Sequence, residues 1–318
     1  MDNDNARKFL EDAGWGGAAR EPLTGDASAR KYVRLRRNDR TAILMDASQL
    51  PEIIAPFVRI DGHLRQLGFS APEILAREEA NRLLLLEDFG DTTLAQLLDK
   101  GHEPEKLLAL ATDVLIALHR HPQAIPEGLR VYSPEKMLED IELFLDWRTP
   151  GISGTGRDEF RKAWREVLPL AHAVPASLLL RDYHAANLML LPDRDGIRQA
   201  GLLDFQDAYQ GPVTYDLVSL LEDARRDVPE DLRKKMTARY LTQFPPLDRG
   251  AFKTSLAILA ALRHTRVLAI FERLSRQERR HDYKKLHSPR VERRLQIALR
   301  HPVLAGVKRW FAQYARQN

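Results

Sequence analysis

The stretch whose reading decides the fold is Leu178-Leu179-Leu180-Arg181-Asp182-Tyr183-His184-Ala185-Ala186-Asn187, completed further on by Leu203-Asp204-Phe205-Gln206. Leu178 to Leu180 is a short buried-strand pattern, and Leu188 to Leu191 is another. Pro192-Asp193-Arg194-Asp195-Gly196 reads as a turn and Ile197 to Phe205 as the returning strand. Such a hairpin brings Asn187, where the chain enters, to the same end as Asp204, where it leaves, across 17 positions of sequence. Asp182, five residues before Asn187, lies on the loop leading into that end. Two carboxylates and an amide oxygen suit a hard cation such as Mg²⁺, which prefers oxygen ligands and keeps waters and phosphate oxygens. They also suit phosphoryl transfer, with Asn187 and Asp204 on the metal and Asp182 taking the acceptor hydroxyl's proton. Singly, either aspartate reads as a turn cap; the ordered set is what selects the chemistry.

Upstream of this stretch, Ala27 to Leu35 and Thr41 to Met45 flank the polar turn Arg37-Asn38-Asp39-Arg40 and predict an antiparallel hairpin. Ile53 to Leu67 has helical apolar spacing, and Glu73 to Ala76 and Leu83 to Leu86 read as two further strands. After Glu87-Asp88-Phe89-Gly90 the pattern turns helical. Pro104 to Leu118 carries one apolar face, Ser133-Pro134 opens another helix, and the pattern is helical again from Asp216 onward. Arg148 to Gly156 reads as a surface loop. The expected class is α+β with two lobes: residues 1–87 as a small antiparallel-sheet lobe for the nucleotide, residues 88–318 as a larger, mainly helical lobe for catalysis and substrate.

The 318 residues hold 49 Lys and Arg against 45 Asp and Glu, a formal charge of +4. That average conceals a polar chain, because residues 263–318 alone carry 15 basic and 4 acidic side chains. The absence of cysteine excludes a disulfide scaffold, a thiol nucleophile and a thiolate metal site. The acidic, polar start Met1-Asp2-Asn3-Asp4-Asn5 does not read as a signal peptide, and apolar runs such as Leu256 to Leu262 are short for a bilayer. A cytoplasmic monomer with no membrane or nucleic-acid partner is expected. The basic tail is interleaved with Phe271, Leu274, Tyr283 and Leu286 rather than forming a clean stripe.

Asp182-x4-Asn187 followed by Asp204-Phe205-Gln206 resembles the catalytic loop and metal motif of the protein-kinase-like fold, in its aminoglycoside phosphotransferase and choline kinase branch. Gly211-Pro212-x-x-Tyr215-Asp216-Leu217 is similar to a downstream signature of that branch. More narrowly, Thr24-Gly25-Asp26-Ala27-Ser28, Leu203 to Ala208, Ser219 to Arg225, Arg263 to Leu274 and Pro289-Arg290 resemble the bacterial anomeric N-acetylmuramate/N-acetylglucosamine kinases of cell-wall recycling. The resemblance spans essentially the whole chain. It implies ATP and Mg²⁺ as cofactors and an amino sugar phosphorylated at its anomeric hydroxyl. It further implies Asp182 as the base, Asn187 and Asp204 as metal ligands, and Asp216 as a brace for the catalytic loop. Gly25, Asp26, Ala27, Ser28, Arg30, Glu87 and Phe89 are implied on the nucleotide side; Trp147, His184, Asp207, Asp223, Arg225 and Arg263 on the sugar side.

The chain departs from the pattern in three places. The histidine common two residues before the base is Leu180; no glycine triplet covers the phosphates; and Thr41 to Asp46 offers no lysine. Arg30, Lys31 and Arg34 are the candidates to replace that lysine. Two other readings stay open at this point. One is a kinase for another small hydroxyl acceptor (aminoglycoside, choline-like or homoserine-like); the other is a catalytically weak kinase-like binding protein.

Overall fold

The computed structural model describes residues 4–23, 30–50, 52–277 and 281–315. The chain opens α1 (Asp4–Asp12), β1 (Ala19–Leu23), β2 (Lys31–Arg37), β3 (Arg40–Asp46) and α2 (Ile54–Gln66). It continues β4 (Ile74–Glu78), β5 (Leu83–Glu87), α3 (Leu94–Asp99), α4 (Pro104–Arg120), α5 (Pro134–Trp147) and α6 (Gly154–Val167). Next come β6 (Ala176–Leu179), β7 (Leu188–Leu190), β8 (Ala200–Leu202), β9 (Tyr209–Pro212) and α7 (Thr214–Leu221). It ends α8 (Glu230–Thr242), α9 (Arg249–Gln277), α10 (His281–Ala298) and α11 (Ala305–Tyr314).

Two compact units emerge: residues 1–102 with 186–207, and residues 103–185 with 208–318. This differs from the expected single break at 87/88. Residues 88–102 stay with the sheet because Thr93 bridges Met189 and the Thr92 carbonyl accepts the Leu190 N–H at 2.8 Å. The β7–β8 hairpin returns to the same unit through Ser70, whose carbonyl accepts the Leu202 N–H at 2.7 Å and whose hydroxyl donates to the Arg198 carbonyl at 2.7 Å.

In the first unit the sheet order is β1-β2-β3-β5-β4. β2 and β3 pair from Lys31↔Asp46 to Arg37↔Arg40, so Asn38-Asp39 is the two-residue turn, with Asn38 at φ 53°. Side chains alternate across a strand, so Val33, Leu35, Ala42, Leu44, Leu83 and Leu85 share one face. That face buries Ala6, Phe9 and Leu10 of α1 together with Trp15. Leu84 and Leu86, on the opposite face, are buried as well, which explains a continuous four-leucine run where one-sided strands alternate. α1 and β1 carried no expectation from sequence. β1 reads Ala-Arg-Glu-Pro-Leu and is exposed along most of its length, an edge strand without an apolar signature. The expected strand from Ala27 begins at Lys31; its residues 27–29 lie outside the described residues.

The returning strand of the 188–205 hairpin is shorter than expected. A 3₁₀ turn occupies Gly196–Gln199, β8 spans only Ala200–Leu202, and the chain leaves the ladder at Asp204, which has φ 61°. Gly201 is there because β8 passes Phe89 closely: a Cβ at that position would stand 2.7 Å from the ring.

In the second unit α9 is the central element and packs against α5, α7 and α10. Its Ile258, Leu259, Leu262, Leu268 and Phe271 join a core with Phe144, Phe160, Trp164, Trp310 and Phe311. By length and composition α9 could cross a bilayer, which the short run Leu256 to Leu262 did not suggest, yet 72% of its most apolar window is buried in the fold. Ser133 caps α5, its hydroxyl accepting the Lys136 N–H at 3.3 Å, with Pro134 in the first turn. The expected loop 148–156 ends early, because Ser153 accepts the Gly156 N–H at 3.1 Å and starts α6 at Gly154. His119 packs against Tyr240 with Nδ1 2.7 Å from its hydroxyl, and burial lowers its pKa to about 3.

Asp61 on α2 is 2% exposed, with one carboxylate oxygen lacking a hydrogen-bond partner. Burial pushes its pKa up to about 7 against the pull of Arg65. The folded state therefore holds a proton that the unfolded state has released, and stability falls as pH rises from about 4 to about 7. Asp61→Asn should gain on the wild type across that window, by on the order of 2 kcal/mol at pH 8 relative to pH 4. Urea melts of both proteins at the two pH values check this, and parallel pH dependence would refute it.

Candidate active site

The loop after β6 is held by Asp216, near the start of α7 and 2% exposed. Its two oxygens accept the backbone N–H of Leu180 at 2.6 Å and of Arg181 at 2.9 Å. Burial pushes the Asp216 carboxyl up to about 7, opposed by those two donors. Arg181 sits at φ 67°, a conformation costly for a residue with a Cβ, and its side chain is fastened on every side. The guanidinium lies over the rings of Tyr132 and Tyr209, 5.1 Å from each centroid, and donates to Asp140. Asp140 also takes the Tyr132 hydroxyl at 2.9 Å and Lys136 at 3.1 Å, with Arg266 at 3.7 Å.

That scaffold presents Asp182. Burial alone would raise its carboxyl, but Arg266, His184, Arg181 and Arg263 outweigh burial and hold it below the ordinary aspartate value. The carboxylate is thus ionised at neutral pH, the state that a hydroxyl donating its proton requires. His184 is 6% exposed, its backbone N–H donates to the Asp182 carbonyl at 3.1 Å, and Nε2 lies 3.4 Å from Arg225. Burial lowers the His184 pKa, against the opposing pull of Asp223 and Asp182. Asp223, 1% exposed, accepts the Arg225 N–H at 2.9 Å and the Arg226 side chain at 3.2 Å. Arg263 is 4% exposed, with Nη1 lacking a hydrogen-bond partner. Trp147 ends α5 and packs against the helical core.

The first unit carries the other half of the motif. Ala185–Asn187 forms a 3₁₀ turn, and the Asn187 carbonyl accepts the Leu203 N–H at 3.0 Å. The Asn187 side chain donates to Asp204 at 3.4 Å, so the hairpin does bring these two to one end. The other Asp204 oxygen takes Gln206 at 3.0 Å and the guanidinium of Arg30. Arg30 also lies near the Tyr32 ring, 5.9 Å from its centroid. An all-oxygen pair of one carboxylate and one amide, already engaged with a cationic group, fits Mg²⁺, which would fill its remaining positions with water and phosphate oxygens. Asp207 is exposed and adds to the negative field on Arg30.

Of the lysine replacements, Arg34 is fully engaged elsewhere: it is 3% exposed and binds Asp88 at 2.7 Å, Asp91 at 2.6 Å and the Gly90 carbonyl at 2.9 Å. Lys31 is exposed at the start of β2. Arg30 alone of the three is placed on Asp204. Glu87 pairs with Arg194, which lies 5.1 Å from the centroid of the Phe89 ring. Gly25, Asp26, Ala27 and Ser28 lie outside the described residues. Sequence reasoning gave no site role to Arg266, Asp140, Arg181 or Gln206. The available signal was charge on an apolar helix: Arg263 and Arg266 interrupt a buried stretch of α9, and buried charge requires a partner.

Comparison with known proteins identifies the frame. The model of the phosphotransferase enzyme family matches residues 19–252. An N-acetylmuramate/N-acetylglucosamine kinase of Caulobacter vibrioides is 33% identical, over 96% of this chain and 94% of its own length. The Pseudomonas aeruginosa protein of the same name is 34% identical, over 92% and 88% respectively. Among solved structures, a putative aminoglycoside phosphotransferase from Ralstonia eutropha aligns with a TM-score of 0.66 at 15% identity, covering 94% of this chain and 98% of that one. A choline/ethanolamine kinase family protein from Mesorhizobium loti aligns at 0.64 and 18%, covering 97% and 100%. The protein-kinase-like frame expected from the motif is therefore the frame observed, and the chain belongs to the phosphotransferase enzyme family.

Proposed function

We propose that the protein is an ATP-dependent, cytoplasmic sugar kinase that phosphorylates the anomeric hydroxyl of N-acetylmuramate, N-acetylglucosamine or both, yielding the sugar 1-phosphate in peptidoglycan recycling. The observation that carries the reading is identity of 33% along 96% of the chain with a kinase of that name, together with an Asp182 whose surroundings keep it ionised. When bound, Mg²⁺ and nucleotide supply the transferable phosphoryl group and neutralise its charge. Asn187 and Asp204 would hold the metal in this reading, and Arg30, which donates to Asp204, would supply positive charge beside it. Asp182 orients the acceptor: the anomeric oxygen bonds to the γ-phosphorus, its proton passes to the carboxylate, and the nucleoside diphosphate leaves. A base of lowered pKa takes that proton late, which suits a loose transition state needing little nucleophilic assistance.

The groups around Asp182 also bear on the acceptor's charge. Arg181, Arg263 and Arg266 all act on it electrostatically, and a cationic aminoglycoside or choline-like acceptor would meet them with repulsion. A neutral or acidic sugar would not. Arg263 has an unpartnered buried nitrogen and, with Asp223 and His184, offers the polar forks that sugar hydroxyls need.

Incubation with Mg·ATP and a panel of N-acetylmuramate, N-acetylglucosamine, other hexoses, choline and an aminoglycoside should give ADP and a phosphate at the anomeric carbon with the amino sugars. Turnover confined to choline or the aminoglycoside would overturn the reading. Asp182→Asn should lower kcat about 10² to 10⁴-fold while nucleotide affinity, measured by titration calorimetry, stays within a factor of two or so. Arg266→Met removes the cation that most lowers the Asp182 pKa, so the acidic limb of the kcat profile should move to higher pH. A limb that stays in place would show that Arg266 does not set the charge of Asp182.

A further inference from the structure

A cavity of about 500 Å³ opens where the end of α5 meets the last turns of α9 and the first half of α10. Arg148, Ser275, Lys284, Lys285, Ser288, Pro289 and Glu292 line it. Ser275 stands nine residues beyond Arg266, about 14 Å along the helix at 1.5 Å per residue. Ser275, at one edge of the cavity, is therefore set well apart from Arg266 along α9.

Three features mark it as more than a surface dent. Ser288 is 4% exposed, lines the cavity, and its hydroxyl has no hydrogen-bond partner. A buried hydroxyl left without a partner is costly, and a ligand atom reaching it would recover that cost. The charge is unbalanced as well. Glu272 is buried and takes Arg276 at 2.8 Å, Lys284 at 2.9 Å and Arg148 at 3.4 Å, while Glu292 takes Arg148 at 2.5 Å. Two carboxylates thus face Arg148, Arg276, Lys284 and Lys285, and Lys285 has no ion-pair partner among the described residues. Finally, Pro289 lies inside α10. It lacks the N–H that would reach the Lys285 carbonyl four residues back, so that carbonyl is left without its helical donor.

We propose that this cavity binds a small phosphate monoester. Lys284, Lys285 and the Ser288 hydroxyl donate to phosphoryl oxygens, and the excess of basic over acidic groups among the described residues suits an anion. Glu292 and the Lys285 carbonyl, both acceptors, take hydroxyls of the esterified group. The assignment stands on this cavity alone and does not depend on which acceptor Asp182 serves.

The test titrates full-length protein by calorimetry with inorganic phosphate and, separately, with N-acetylglucosamine 1-phosphate. The variants are Lys285→Gln/Ser288→Ala, Glu292→Gln, and Lys308→Gln as a control for bulk charge at an exposed position on α11. The double variant should weaken binding of both probes at least tenfold while Lys308→Gln leaves it unchanged. Tighter binding of the sugar phosphate, lost in Glu292→Gln, assigns the hydroxyl contacts; equal binding of the two probes confines recognition to the phosphoryl group and removes the Glu292 part of the proposal. Should the double variant melt early, Lys285→Gln alone, at an exposed position, decides the matter. Binding indifferent to these residues, weakened equally by Lys308→Gln, or absent at millimolar concentration overturns the site.

Discussion

One carboxylate holds the loop that carries Asp182 in place. Asp216 accepts the backbone N–H of Leu180 and of Arg181, and this pair of bonds fixes the direction in which the next residue, Asp182, leaves the scaffold. Arg181 is thereby kept in a left-handed conformation that its side chain would otherwise resist. The opposing cost is met by the guanidinium's own fastenings to Tyr132, Tyr209 and Asp140. Backbone strain and side-chain anchorage act on the same residue, and neither would persist without the other.

The same anchorage sets the electrostatics. A partly enclosed aspartate tends toward its neutral form, and only surrounding cations reverse this. Here Arg181, Arg263 and Arg266 do so, while Asp140 bridges two of them and keeps their mutual repulsion tolerable. Breaking one member of such a network leaves the others unpaired in a poorly solvated place, so losses there exceed any single contact. In the other unit, Arg30 on Asp204 is the corresponding arrangement in miniature: a carboxylate with a cation already beside it.

Much of this was legible in the sequence because it rests on short-range order. The β2–β3 turn, the helix after Ser133-Pro134 and the meeting of Asn187 with Asp204 follow from spacing and turn chemistry alone. What escaped reading depends on partners far away in the chain. Arg34 looks on paper like a cation free for phosphate, yet Asp88 and Asp91, more than fifty residues on, take its donors. Arg266 becomes notable only when α9 carries it toward Asp140 and Asp182. β1 is mostly exposed and carries no apolar alternation to announce it, and the strand expected to run through Phe205 stops at Leu202 because the chain must turn left-handed at Asp204. The break near residue 87 was inferred from a change of periodicity, whereas compactness also depends on the return of residues 186–207, which no local pattern announces.

α9 carries both the core of its unit and the cations around Asp182. Ile258, Leu262 and Leu268 on this helix are among the most buried residues of the fold, and Arg263 and Arg266 are threaded between them. Amides at the middle of such a helix exchange with solvent only when the whole cooperative unit opens. The charged groups around Asp182 are therefore not borne on a segment that can loosen while the rest stays folded. Heat should silence the enzyme and melt the helical unit in a single event, without a folded but inactive stage between them.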